Sequence, residues 1–260
     1  MLEILIGIAG GLLIGSTGAG AGSLLTPLLI LAGYRPALAI GTGMGSLFVS
    51  KLVGSVAHRR LGHWPGKIGW LVVVGGLVGV GLAAAAVGEW GQLGGETALR
   101  RLVGGTLLIA SAAATFVSKR QKAVAKDADN DVESAALPSS DLPMPRPWIL
   151  LAVGIGVAAV VSITSAGSGS LLVTFLLLAT TWRVPQLAAM SNVFGSVVGA
   201  LTLGLHWKLH NFDPHLFGLV IAGVIPGVLL GVLLSRLISR QWLVWGVYIL
   251  GICLGVALLA

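Results

Sequence analysis

The chain has 260 residues, 56% of them apolar and only 10% charged, with 16 Lys and Arg against 9 Asp and Glu for a net charge of +7. So few charges do not cover a soluble globule, which excludes one or two soluble domains and leaves an all-α integral membrane protein. One cysteine, Cys253, excludes a disulfide framework and a thiolate metal cluster.

The first apolar run, Leu2 to Ala32, is interrupted by Ser16-Thr17-Gly18-Ala19-Gly20-Ala21-Gly22-Ser23. Gly in a helix interior costs roughly 1 kcal/mol relative to Ala, so the run reads as two half-helices of roughly ten residues each. No basic residue precedes it, so no cleavable signal peptide is expected. Arg35-Pro36 then opens a span to about His58, Pro being well placed in a first helical turn. A basic loop with Arg59, Arg60 and Lys67 follows, and Trp64 and Trp70 suit the headgroup level. Spans near 68–88 and 98–118 complete a first membrane repeat over 1–118.

Residues 119–147 are the one long polar stretch, where Lys119, Arg120, Lys122 and Lys126 precede five acids and Pro138, Pro143, Pro145 and Pro147 mark the later part, the composition of a linker. A second repeat over 148–260 mirrors the first, with a broken unit near 148–181 and spans near 185–206, 215–235 and 241–259. Thr164-Ser165-Ala166-Gly167-Ser168-Gly169-Ser170-Leu171-Leu172 matches the first break, Thr17 to Leu25, at seven of nine positions, 147 residues later. Pro36 matches Pro185, and Gly75 and Gly79 match Gly223 and Gly227, at offsets of 149 and 148. A register that drifts so little marks a duplication.

Topology turns on whether each broken unit crosses the bilayer or re-enters as a hairpin. Crossing units give parallel repeats, whose better orientation places nine cations inside and six outside. Re-entrant units give two inverted repeats, each a half-helix pair plus three transmembrane helices. The split is then eleven to four, with the 119–147 linker cytoplasmic and Arg35, Arg100, Arg101 and Lys208 outside. The positive-inside rule favours the second arrangement, and so do half-helices too short to span about 30 Å.

All nine carboxylates, from Glu3 to Asp213, fall in termini or loops. Cation pathways in membranes usually keep a carboxylate, so a cationic substrate is disfavoured. A helix starting at either break instead presents unpaired N–H groups and roughly half a positive charge, suited to an anion. A short Gly-interrupted segment in corresponding places of two halves is a pointer to a transport site. The hydroxyls of Thr17, Ser23, Thr164, Ser165, Ser168 and Ser170 can add donors. Close packing of small residues is the plainer alternative, favoured for isolated Gly pairs but less so for a symmetric break.

The helix after each break carries a stripe at helical spacing, Gly43, Ser46 and Ser50 in one half and Asn192, Gly195 and Gly199 in the other. Asn192 offers two donors, to an anion or to a neighbouring helix. Lys51 is the one charge well inside a span, and either pairs with an anion or snorkels towards the end marked by His58. His58 and His206 fall at span ends and read as interfacial.

Three segments together resemble the TauE/SafE family: Gly7, Gly10, Gly11 and Gly15; then Gly20-Ala21-Gly22-Ser23-Leu24-Leu25-Thr26-Pro27; then Pro36, Ala39, Gly41 and Thr42. The resemblance covers nearly the whole chain. It implies a multi-pass permease of the bacterial inner membrane that exports sulfite or a related organosulfur anion. On it, Gly20, Gly22 and Thr42 are site positions of the first half. Gly167, Gly169 and Ser191-Asn192 stand in the corresponding places of the second. There the Gly-Thr pair is replaced by Met190-Ser191, a departure from the pattern. The expected function is export of a small sulfur-containing anion by alternating access, with no catalysis, no cofactor and no metal. Expected partners are that anion and the bilayer, with a homodimer left open and no nucleic acid. A passive anion channel is the alternative. A third reading, an intramembrane serine protease built on Ser168 and His206, requires a base within hydrogen-bond reach of the serine.

Overall fold

The computed structural model describes residues 1–17, 24–60, 62, 66–90, 95–130, 146–180, 182, 184–237 and 240–260. Among them the chain forms helices and no strand. The first half comprises α1 (Leu2–Thr17), α2 (Leu25–Leu31), α3 (Pro36–Arg60), α4 (Trp70–Trp90) and α5 (Gly95–Asn130). The second comprises α6 (Pro147–Thr164), α7 (Ser168–Ala179), α8 (Val184–Lys208), α9 (Pro214–Leu237) and α10 (Arg240–Leu259). Prolines open α3, α6 and α9, and one lies at the second residue of α8, where a missing N–H costs nothing.

Among the described residues, five helices are long and apolar enough to cross a bilayer, including Pro36–Arg60, Pro147–Thr164 and Pro185–Lys208. The exposed side chains of α4 and α9 are large and apolar, including Val74, Leu77, Val78, Leu82, Ile225, Leu229, Leu230 and Leu233. That surface is suited to lipid rather than water. The protein is an all-α, multi-pass membrane protein.

Two lengths differ from the sequence reading. The broken units are unequal, with 16 and 7 residues in α1 and α2 and 18 and 12 in α6 and α7. Each first helix therefore runs well past ten residues, and α6, at about 27 Å, is one of those long enough to span. The second break lies at the Gly and hydroxyl cluster near Ser165 to Ser168, off-centre in its run. Second, α5 does not stop near 118 but continues to Asn130. Lys119 to Lys126 contains no Gly or Pro and consists largely of good helix formers, so the helix propagates into the polar stretch.

The two halves pack reciprocally. Helix α1 lies on α9 and α6 on α4, while α3 meets α8 and α5 meets α10. The first two contacts are made by backbone. A methyl at Gly7 or Gly11 would overlap the carbonyl oxygens of Val220 or Val224, and one at Gly223 or Gly227 those of Ile4 or Ile8. On the other side Gly75, Gly79 and Gly154 meet Leu151, Ile155 and Val72 in the same way. Small residues that let backbones touch are the general solution to helix association in lipid.

Direction follows from the same contacts. Positions on α1 and α9 rise together, as do those on α4 and α6, so each pair is parallel. Along α3 and α8 they run oppositely, Gly41 against His206, Phe48 against Gly199 and Gly54 against Asn192. Helices α5 and α10 are likewise antiparallel, Gly104 facing Leu258 and Ser111 facing Gly251.

Polar bonds tie several helix ends to one face. Tyr34, in the α2–α3 turn, donates to Glu3 at the start of α1 at 2.6 Å. That bond pushes the Tyr34 pKa up, since ionisation would lose it. The start of α1 and the end of α2 therefore lie side by side. Arg35 pairs with Glu96 at the start of α5 at 2.8 Å, and Arg100 donates to the Ala257 carbonyl near the end of α10 at 3.2 Å.

Candidate substrate site

The second break is built by two left-handed residues. Ser165 (φ 52°) ends α6 and Gly167 (φ 77°) precedes α7. For a serine this conformation costs on the order of 1–3 kcal/mol, and such residues persist where the surroundings over-determine them. Here the surroundings are Thr26 of α2, whose hydroxyl shares a short hydrogen bond with that of Ser165 and lies 3.4 Å from the Ala39 carbonyl. Gly43 of α3 makes room, since a methyl there would overlap Thr26 Oγ1 and stand 2.9 Å from Ser165 Oγ. One half's break is thus clamped by the other half's short helix.

Helix α7 starts at Ser168, and its first helical bond in this turn runs from the Leu171 N–H to the Gly167 carbonyl at 2.8 Å. The N–H groups of the preceding residues are those that any helix start leaves without an intrahelical partner. Ser168 is fully buried, and its hydroxyl finds no partner among the described residues. The Thr42 hydroxyl on α3 is equally buried and equally unpartnered. A buried unsatisfied hydroxyl costs about 1–3 kcal/mol, which a bound acceptor would recover.

Further along α3, Ser46 is buried and donates to the Thr42 carbonyl at 3.2 Å. Lys51, 5% exposed, reaches across to α8 and donates from Nζ to Ser191 Oγ at 3.1 Å. Its stem lies on Gly195, where a methyl would come within 3.0 Å of Lys51 Cγ. No carboxylate lies within ion-pairing distance of Lys51 among the described residues. From Gly195 to Ser191 on the antiparallel α8, the side chain leans towards the His58 end of α3, with its ammonium buried in the α3–α8 contact. Asn192 sits beside it, half-buried, over Gly54. From Gly43 to Lys51 is eight residues, about 12 Å along α3.

Other expected donors are engaged locally. Thr164 donates to the Val160 carbonyl at 2.7 Å and accepts from the Ala166 N–H at 3.3 Å. Ser170 is half-buried, with its hydroxyl turned to the Gly167 carbonyl at 3.4 Å. Gly167 and Gly169 are buried. Gly20, Gly22 and Ser23 of the first break lie outside the described residues, as does the side chain of Thr17.

Two features were not foreseen. Thr26 enters the sequence reading only as part of a motif, although a hydroxyl just before Pro27 in an apolar half-helix is a usable signal. His206, expected at an interface, is only 3% exposed, and neither ring nitrogen has a hydrogen-bond partner among the described residues. It is covered because Asn211 folds back over the helix end, its N–H bonding the His206 carbonyl at 2.9 Å and its own carbonyl packing on Gly41. Ser168 and His206 are not bonded to each other, so the nucleophile–base pair a serine protease needs is not formed.

Buried hydroxyls, a buried cation with no carboxylate partner among the described residues and the start of α7 thus lie inside a helical body with an apolar exterior. The family model described as Sulfite exporter TauE/SafE matches residues 3–258, and the chain belongs to that family. A stretch of 57 residues is 46% identical to the "Probable membrane transporter protein YjnA" of Bacillus subtilis (strain 168), covering 22% of this chain and 22% of that relative. No solved structure matches the chain significantly. The protein is a multi-pass membrane protein of the TauE/SafE family.

Proposed function

We propose that the protein exports a small sulfur-containing anion, sulfite or a related organosulfonate or thiosulfate, by alternating access. The observation that carries this reading is Lys51, a buried ammonium held by a serine hydroxyl with no carboxylate partner among the described residues. Burying an uncompensated charge costs several kcal/mol, and an anion entering the α3–α8 contact would offset it. The start of α7, with its unsatisfied Ser168 hydroxyl, supplies donors without adding a second full charge. Proposed ligands in the second half are Ser165, Gly167, Ser168, Gly169, Ser170, Ser191 and Asn192, with Thr164 shaping the turn. In the first half they are Thr17, Gly20, Gly22, Ser23, Thr42, Ser46 and Lys51.

Two inverted repeats would provide the rocking elements. Support comes from the antiparallel α3–α8 and α5–α10 contacts, since a two-fold axis in the membrane plane reverses each helix relative to its counterpart. The Tyr34–Glu3 bond supports re-entry of the first broken unit, because both its ends then lie on one face.

The test is binding to purified protein in nanodiscs, with sulfite, thiosulfate, sulfoacetate, sulfate and acetate as the panel. Saturable binding of sulfur oxyanions over acetate is expected, with saturable counterflow in proteoliposomes. Ion-like, non-saturating conductance would instead identify a channel. Binding of cations with indifference to all five anions would overturn the reading.

A further inference from the structure

We propose that His206 is a proton-binding site linked to the anion site, so that a proton is taken up when the anion binds and moves with it. The proposal rests on the anion-transport reading above. Among the described residues, Lys51 and His206 are the two buried titratable side chains, and neither ring nitrogen of His206 has a partner in hydrogen-bond geometry. A neutral imidazole has one donor and one acceptor, and both are unsatisfied here at a cost that Phe or Leu in the same place would avoid.

The chain packs closely at this end of α8. Gly41 of α3 leaves space, its missing methyl falling 3.3 Å from His206 Cβ. One turn earlier on α8, Thr202 shares a 2.8 Å hydrogen bond with Ser162 of α6, and both hydroxyls are buried. Thr202 and His206 are four residues apart, so they lie on one helix face. The Ser162 backbone is near enough to interact with the imidazole, though outside hydrogen-bond geometry. Ser162 is three residues before Ser165, the left-handed residue that ends α6. The imidazole therefore stands against the last turn before the break, where an added charge would act on the element that shapes the anion site.

Few charged groups compete there. From α3 the titratable groups are Lys51, bonded to Ser191 well down α8, and His58, Arg59 and Arg60 in the last turn at the opposite end, while Arg35, paired with Glu96, stands just before its first residue. Helix α7 has none, α6 has none beyond Arg146 before its first residue, and α4 has only Glu89 in its last turn. On the His206 side the chain continues to Lys208, His210, Asp213 and His215, none of them buried. One proton from water converts the neutral ring to imidazolium, adding one positive charge that a bound anion favours. Histidine is the side chain that makes this change near neutral pH.

The probe is thiosulfate, which stays fully ionised over this pH range, whereas sulfite titrates itself. Calorimetry in two buffers of different ionisation enthalpy near pH 6.5 should show wild-type protein taking up a substantial fraction of one proton per anion bound. His206→Gln should still bind thiosulfate but take up none. Equal uptake in both proteins, or binding without uptake in wild type, would overturn the proposal. A second measurement leaves the site untouched: with His58→Gln, His63→Gln, His210→Gln and His215→Gln combined, His206 is the sole histidine and its ring is followed by nitrogen NMR. Reversible protonation between about pH 5 and 8, with more imidazolium when thiosulfate is present, is expected. A ring that stays neutral down to pH 5, or whose protonation ignores thiosulfate, would overturn the link. If no anion in the panel binds, the transport reading fails, and the same titration without anion decides whether His206 binds a proton.

Discussion

At the residue scale, Lys51 and Ser168 make opposite demands on the fold and on the ligand. The Lys51 ammonium costs stability unless compensated, and it holds one fixed partner, Ser191. Lys51→Met should leave the protein folded, or more stable, yet remove most anion binding. Lys51→Arg keeps the charge but places a planar fork over Gly195, so it should restore part of the binding at best. Normal transport by Lys51→Met in proteoliposomes would rule the residue out of the path. Ser168→Ala removes a buried hydroxyl that has no protein partner among the described residues, so its thermal midpoint should not fall. Its anion affinity should drop by about tenfold, the loss of roughly 1.5 kcal/mol for a hydrogen bond to a charged group. A drop in stability with unchanged affinity would show that the hydroxyl serves packing. Gly169→Val should abolish binding more completely, by crowding the start of α7.

The element scale shows what could be read in advance. Starts of α3, α6, α8 and α9 were legible because proline punctuates each, and the last turns of α3 and α8 because basic and His residues gather there. The unequal break lengths were not, since an apolar run carries no mark of depth. Lys51 was legible as a lone intramembrane charge, but its direction depends on Gly195, 144 residues away. The Thr26–Ser165 clamp and the burial of His206 arise from contacts between halves and from a loop folding back, which no local periodicity encodes. Glycine itself was ambiguous, and the structure separates its uses. Gly7 meets a carbonyl oxygen of α9, whereas Gly81 has open space around its missing side chain. Gly7→Ala should therefore lower stability by about 1–3 kcal/mol through overpacking. Gly81→Ala should be neutral or stabilising by roughly 0.5–1 kcal/mol. Thermal unfolding in one detergent compares them directly, and equal effects would refute backbone packing at the α1–α9 contact.

For the molecule as a whole, the reversed contacts between matching helices predict which loops share a face. Single cysteines at Arg35 and Lys208, in a Cys253→Ser background, should react with an impermeant reagent from the same side. Cysteines within 119–147 should react from the other. Labelling of Arg35 and Lys208 from opposite sides would replace inverted repeats with eight simple crossings.

The exchange of partners between halves also constrains the order in which the protein can be made. When the ribosome has delivered α1 to α5, the glycine faces of α1 and α4 have no helix to rest on, because their partners α9 and α6 are still unwritten. The nascent first half must wait in the bilayer with bare backbone turned to lipid, and α6 closes one face before α9 closes the other. Expressed alone, either half should be short-lived. Co-expressed as two chains cut within 119–147, the halves should find each other and restore transport, since each carries the surface the other lacks.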